Sequence, residues 1–291
     1  MICDDIHVRS SYFFENFLAK TSLRRPFGGM KFGILGAMPQ EVALMMRSMT
    51  VHKTYEAGLR TFYEGEWGGQ QVVLALSRVG KVSAAVTTLL MLERFGASHI
   101  IFTGVAGAVD PALRIGDVVI ANSLIQHDMD ASPLPAFQRF EIPLLGKTYF
   151  ESEPEFHQRT AATASRYIDT HFASDVSEER RAAFGIATPS VHRGIVASGD
   201  QFLADPVRTA ELRSLIPGVL CTEMEGAAVA QVCHEMGGVP SSVIRVISDQ
   251  ADHSAAVDFL RFVDEVAEYL TGGIVRELLE SYSNQATLGI K

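Results

Sequence analysis

The sequence predicts a single α/β domain with a central sheet wrapped by helices, and two observations predict it. From residue 30 onward, short apolar runs alternate with helical stretches over about 250 residues, the pattern of strands and helices built into one sheet. The runs are apolar on both faces, as strands covered from both sides are. Strands are expected at 31–36, 72–77, 99–103, 117–122, 193–198 and 242–248. Helices are expected at 39–49, 80–95, 155–173, 206–216, 225–237 and 256–281. Pro39 sits at a first helical turn, and Asp205-Pro206 reads as an N-cap followed by proline at the first helical position. Gly96 and Gly237 are helix stops. The apolar stripe Val82, Ala85, Val86, Leu89 and Leu92 is expected to face the core. Gln126 to Pro154, with Pro133, Pro135 and Pro143 between them, lacks helix signals, and a loop of that length points to a binding lid or an interface.

Composition narrows the class. The chain has 291 residues, 47% hydrophobic and 20% charged, within the range of folded globular proteins. No segment reaches the roughly 18 uninterrupted apolar residues of a membrane-spanning helix. The nearest approach, from Val82 to Leu92, is broken by Ser83, Thr87 and Thr88. Twenty-five Lys and Arg against 34 Asp and Glu leave a net charge of −9, which argues against nucleic acid as a partner. Cys3, Cys221 and Cys233 are an odd set without C-x-x-C spacing, which fits a reducing cytoplasm. Residues 1–29 mix Asp4, Asp5 and Glu15 with Arg9, Arg24 and Arg25 and end in Pro26-Phe27-Gly28-Gly29. They lack the apolar stretch of a signal peptide and read as an extension before a domain over 30–291.

Candidate chemistry gathers where strands end, the place where open α/β sheets bind ligands. Gly33-x-x-Gly36 is half of a dinucleotide fingerprint, without the third glycine. Glu41 lies in the first turn of a helix, where a carboxylate also favours the positive helix end. Asp249 ends the strongest strand and could equally cap the following turn. Arg245, set among aliphatic residues of that strand, needs a buried carboxylate or polar partner. Glu223 and Glu225 flank Met224 before a small-residue helix, and alternation forbids both from facing solvent. The glycines of Thr103-Gly104-Val105-Ala106-Gly107-Ala108, directly after a strand, either let the backbone come close to a ligand or form a tight turn. Ser198-Gly199-Asp200-Gln201-Phe202 adds a strand-end glycine with an aromatic ring. His127, Asp128 and Asp130 are too few, on a proline-rich loop, to predict a metal site. Cys233-His234 reads as one core and one surface residue.

Six segments in order carry a resemblance. Gly-Ala-Met-Pro-Gln-Glu at 36–41, Val-Gly-Lys-Val at 79–82, Thr-Gly-Val-Ala-Gly-Ala at 103–108, Ser-Gly-Asp-Gln-Phe at 198–202, Glu-Met-Glu-Gly-Ala at 223–227 and Ile-Ser-Asp at 247–249 resemble the 5′-methylthioadenosine/S-adenosylhomocysteine nucleosidases of the nucleoside phosphorylase superfamily. The likeness runs from Met30 to about residue 282. It implies a three-layer domain with a mixed sheet, and hydrolysis of an adenine N-glycosidic bond without metal or organic cofactor. By this resemblance Glu41 is the general base, Asp249 the acid that protonates purine N7, and Arg245 holds the water and pairs with a nearby acid. Glu225 accepts from ribose hydroxyls, with Met224 beneath the sugar. Phe202 stacks on adenine, the Leu203 backbone and Ser248 read its edge, and Met38 and Phe259 line the pocket. Val79, Val105, Ala106, Gly107 and Glu223 complete the implied substrate-binding set.

Such a set suits the chemistry. An oxocarbenium-like transition state is stabilised by nearby negative charge, and adenine leaves well only when protonated. Two positions depart from the family pattern. Val105 stands where the family often has serine, and after Asp130 the chain runs Ala131-Ser132-Pro133-Leu134-Pro135 into an insertion. In the family that loop helps a dimer partner close the pocket for the 5′-substituent, so a homodimer is implied while the preferred 5′-substituent stays open. Two other functions remain to be weighed: a phosphorolytic nucleoside phosphorylase, and a nucleoside-binding protein without turnover.

Overall fold

Strands and helices alternate through residues 29–251 and 255–287, which the computed structural model describes; the extension expected over residues 1–29 lies outside them except for Gly29. β1 (Lys31–Gly36) leads into α1 (Pro39–Ser48), followed by β2 (Thr50–Ala57), β3 (Arg60–Trp67), β4 (Gln70–Leu76) and α2 (Lys81–Glu93). Next come β5 (His99–Ala108), β6 (Val118–Gln126), β7 (Tyr149–Glu151), α3 (Pro154–Thr170) and the short helices α4 (Phe172–Asp175) and α5 (Glu178–Ala183). β8 (Val191–Ser198), α6 (Pro206–Leu215), β9 (Val219–Glu223), α7 (Gly226–Glu235) and β10 (Ser241–Asp249) follow. The chain ends in α8 (Ala255–Phe262), a π-helical turn (Val263–Ala267) and α9 (Glu268–Thr287).

All these strands belong to one mixed sheet. One half is open, in the order β2-β3-β4-β1-β5. The other half closes on itself: β10 pairs with both β5 and β6, β6 with β8, β8 with β9, and β9 returns to β5. The closing contact is short, Gly107 opposite Thr222 and Ala108 opposite Cys221. Helices α1, α3 and α9 cover one face, where Val42, Met45, Phe156 and Leu278 join Ile34, Ile101 and Ile244. Helices α2 and α7 cover the other, with Ala84, Met91 and Val229 against Leu35, Phe102 and Val243. The result is the three-layer α/β domain that the resemblance implies.

Several local expectations change. Residues 103–108 form no turn: β5 runs unbroken from His99 to Ala108, because its far end still finds partners in β10 and β9. The stripe on α2 is inverted as well. Val82, Val86 and Leu89 are 75%, 38% and 42% exposed, while Ala84, Thr87, Thr88 and Met91 are buried. The threonines tolerate burial because Thr87 Oγ1 donates to Ser83 O at 2.9 Å and Thr88 Oγ1 to Ala84 O at 2.9 Å. The helix expected at 155–173 ends at Thr170, and the one expected at 256–281 is interrupted by its π-turn and continues to Thr287. The segment from Gln126 to Pro154 is shortened from both sides by β6 and β7, which pair. Asp205 caps α6 as expected, accepting from Val207 N at 2.9 Å.

Candidate active site

One cavity of about 550 Å³, its open mouth included, collects nearly all the residues singled out above. Met38 and Glu41 enter it from the β1–α1 junction, Val79 from the approach to α2, and Val105, Ala106 and Gly107 from β5. Phe202 and Leu203 come from the segment after β8, Glu223, Met224 and Glu225 from the β9–α7 junction, and Asp249 and Phe259 from β10 and α8. Glu41 and Asp249 thus face a common space. Ala37, Gln201 and Thr222 also line it, and single out no chemistry in the sequence. Arg245 and Ser248 stand behind the wall, 1% and 0% exposed.

Glu41 is fixed by backbone donors. The helix start at Pro39 brings its carboxylate back over the preceding turn, where Oε2 accepts from Ala37 N at 2.7 Å and Met38 N at 2.9 Å. Its Oε1 accepts from Val105 N at 3.0 Å. Gly36 allows this approach, since a Cβ there would lie 2.8 Å from the Val42 side chain and 3.2 Å from Glu41 Cβ. Burial raises the Glu41 carboxyl above the usual carboxylate range, although the Arg245 charge and the three N–H donors pull the other way. A base that is basic for a carboxylate suits proton abstraction near neutral pH.

Arg245 is the hub of the charge arrangement. Its Nη2 donates to Glu223 Oε2 in a buried ion pair and lies 3.8 Å from Glu225 Oε2. The guanidinium carbon sits 4.1 Å from the centroid of the Phe102 ring. Three buried carboxylates, Glu41, Glu223 and Glu225, therefore surround one cation. Glu223 is the most heavily bonded, accepting also from Ser198 Oγ, Glu225 N at 3.1 Å and Gly226 N at 2.8 Å. Glu225 is less heavily bonded: its Oε1 accepts from Gly80 N at 2.8 Å. Burial first, and the neighbouring Glu223 charge second, push its carboxyl up to about 8.

Asp249 follows a register shift between Ile247 and Asp249 in the β10–β5 pairing, an irregularity of the kind that re-aims a strand-end side chain. Its Oδ2 accepts from Ser248 Oγ at 2.7 Å and its Oδ1 from Ala251 N at 2.9 Å. Ser248, expected at the ligand, instead turns its hydroxyl to Asp249 and, at 3.3 Å, to Ala106 O. At the mouth, the half-exposed Phe202 ring meets Phe259 edge-on, with centroids 5.5 Å apart at 76°. A flat base can enter beside these rings while a sugar lies over the carboxylates.

Comparison with known proteins agrees with this geometry. The family model described as the phosphorylase superfamily matches residues 31–280. A 5′-methylthioadenosine/S-adenosylhomocysteine nucleosidase of Shewanella denitrificans is 33% identical over 252 residues, 86% of this chain and all of that protein. The crystal structure of such a nucleosidase from Neisseria meningitidis, in complex with methylthio-immucillin-A, superposes with a TM-score of 0.76 at 32% identity, covering 87% of this chain and all of that one. Futalosine hydrolase of Helicobacter pylori, at 30% identity and a TM-score of 0.71, covers 87% of this chain and 98% of its own. With its fold, its cavity and its relatives in agreement, the chain belongs to the 5′-methylthioadenosine/S-adenosylhomocysteine nucleosidase family of the phosphorylase superfamily.

Proposed function

We propose that the protein hydrolyses the N-glycosidic bond of 5′-methylthioadenosine, S-adenosylhomocysteine and related adenine nucleosides, releasing adenine. The observation that carries this is the pairing of Glu41 and Asp249 on one cavity that also holds Glu225 and an aromatic mouth. Water bound at Glu41 gives a proton to its carboxylate and its oxygen to C1′ of the ribose. The C1′–N9 bond breaks as positive charge builds on the sugar, and Asp249 delivers a proton to N7 so that adenine leaves neutral. Glu225 accepts from the ribose hydroxyls over Met224, and Phe202 with Phe259 flanks the base. Arg245 acts from behind, holding the carboxylates in register and balancing part of their charge. Each well-placed proton-transfer group contributes on the order of 10²–10⁴ in rate.

The charge arrangement favours water over phosphate as nucleophile. A phosphate needs several cationic or N–H donors. Here the Ala37, Met38 and Val105 N–H groups are engaged by Glu41, and Arg245 faces three carboxylates. Adenine release in phosphate-free buffer, across a panel of 5′-methylthioadenosine, S-adenosylhomocysteine, 5′-deoxyadenosine and adenosine, tests the proposal. Strict dependence on phosphate would establish a phosphorylase, and binding without adenine release a nucleoside-binding protein.

The same proposal includes a homodimer and a cytoplasmic setting. Val82, Val86 and Leu89 present an exposed apolar stripe on α2, beside the exposed Val79 at the mouth, as a face covered by a second subunit would. Cys221 and Cys233 are free and buried, compatible with a reducing compartment. Among the described residues no helix is long and apolar enough to cross a membrane.

A further inference from the structure

We propose that Asp128, Lys81 and Asp200 form a clamp that positions Glu225 for the ribose, by holding the Gly80 N–H that fixes its carboxylate. The inference rests on the proposed role of Glu225. Three chain segments meet at the clamp: the start of α2, the turn after β8 and the loop after β6. Lys81 N donates to Asp200 Oδ1 at 2.9 Å, and Asp200 N donates to Asp128 Oδ2 at 2.8 Å. Lys81 Nζ closes the circuit by donating to Asp128 Oδ1, with Asp200 Oδ2 4.0 Å away. Next in the chain, Gly80 N donates to Glu225 Oε1 at 2.8 Å.

The geometry leaves the peptide at Gly80 little freedom. Gly80 has φ +97°, a left-handed conformation that a side chain disfavours, and a Cβ there would lie 3.3 Å from Asp200 Oδ1. Its N–H direction is therefore set by the residues that anchor the following turn of α2, which are Lys81 and Asp200. Lys81 and Asp128 are mostly buried, whereas Asp200 is half-exposed. Burial alone would raise the Asp128 carboxyl, but the Lys81 ammonium and the Asp200 N–H together bring it below the ordinary range, so it stays charged at neutral pH. The clamp also ties down the segment that carries Gln201 and Phe202 into the cavity. The loop after β6 thus acts on the site of its own subunit, through Asp128.

Asp128→Ala, Lys81→Met and Asp200→Ala, assayed on 5′-methylthioadenosine and on its 3′-deoxy analogue, test the clamp. A residue that merely supports the fold lowers both activities together. A clamp that aims Glu225 at ribose hydroxyls makes the variants lose about tenfold of the preference for the ribonucleoside, the order of one hydrogen bond. Asp200→Ala, at a half-exposed position, provides the measurement should Asp128→Ala fail to fold. The same preference read by calorimetric binding of the two nucleosides needs no turnover. Wild-type protein that releases no adenine would overturn the hydrolase proposal, and a preference unchanged in folded variants would overturn the clamp.

Discussion

Glu41 and Arg245 reach toward each other over Gly104, at a point of β5 where any side chain would stand between them. A Cβ on Gly104 would overlap Glu41 Oε1 and lie 2.6 Å from Arg245 Nη1. Both groups are held on their far sides, Glu41 by backbone donors and Arg245 by Glu223 and Phe102, so neither can retreat freely. Gly104→Ala is therefore expected to lower kcat/KM for adenine release by about 10² or more, the order lost when a general base is displaced. Overpacking of this kind also costs about 1–3 kcal/mol of stability. Steady-state kinetics beside a thermal melt checks both, and wild-type activity in the variant would show that Glu41 needs no such contact.

Asp249→Asn should abolish adenine release while leaving ligand affinity within about tenfold, since the amide keeps the shape but cannot supply an acidic proton. Its neighbours predict a folded variant: the amide oxygen can still accept from Ala251 N, and the amide NH2 can donate to Ser248 Oγ, whose own proton can turn to Ala106 O. Full turnover by this variant would remove Asp249 from the role of acid.

Glu225 makes stability depend on pH in a direction opposite to that of a salt-bridged carboxylate. In the folded protein its carboxyl is pushed up to about 8, above the 4.5 of a free glutamate. The contribution is thus fully present below about pH 4.5 and is lost as pH rises through about 8. Melting temperatures of ligand-free protein and of Glu225→Gln, taken across pH 5 to 8.5, should diverge, with the wild type losing ground to the variant at the alkaline end. Parallel curves would contradict it.

The exposed stripe on α2 gives a test of association. Val86→Glu with Leu89→Glu places charge on a face already in contact with solvent, so the fold should persist. Sedimentation at micromolar concentration is expected to change from dimer for the wild type to monomer for the double variant. A wild-type monomer with full activity would refute the proposed subunit contact.

Fold class was legible because both signals are local: apolar runs of strand length, and start signals such as Pro39 and Asp205-Pro206. What escaped depends on distant partners. β2 carries mostly exposed side chains along the sheet margin, so it has no apolar run to find. The glycines of β5 left a close approach and a tight turn both open, and the strand runs straight through them, with Glu41, Arg245 and Asp249 pressed against them. The α2 stripe misled because alanine and threonine, not valine and leucine, pack nearest the sheet. At the site, carboxylates near strand ends drew attention to Glu41, Glu225 and Asp249, but Arg245, Ser248 and Asp249 are equally buried and only Asp249 lines the cavity, a difference set by the register shift after Ile247 that strand spacing does not show. Lys81, Asp128 and Asp200 lie in segments visible as motifs, yet their mutual bonds join positions up to 119 residues apart.

The closed half of the sheet has a further consequence. β5, β9 and β10, which carry Gly104, Glu223, Arg245 and Asp249, are links of one ring, so shifting any of them must open hydrogen-bond ladders on two sides. In the proposed reaction these ladders would hold the polar groups at fixed spacing, so that their dipoles need not reorient as charge develops. Adaptation to a different tail on the nucleoside is left to the rim, where Val79 stands half in solvent on a segment outside that ring.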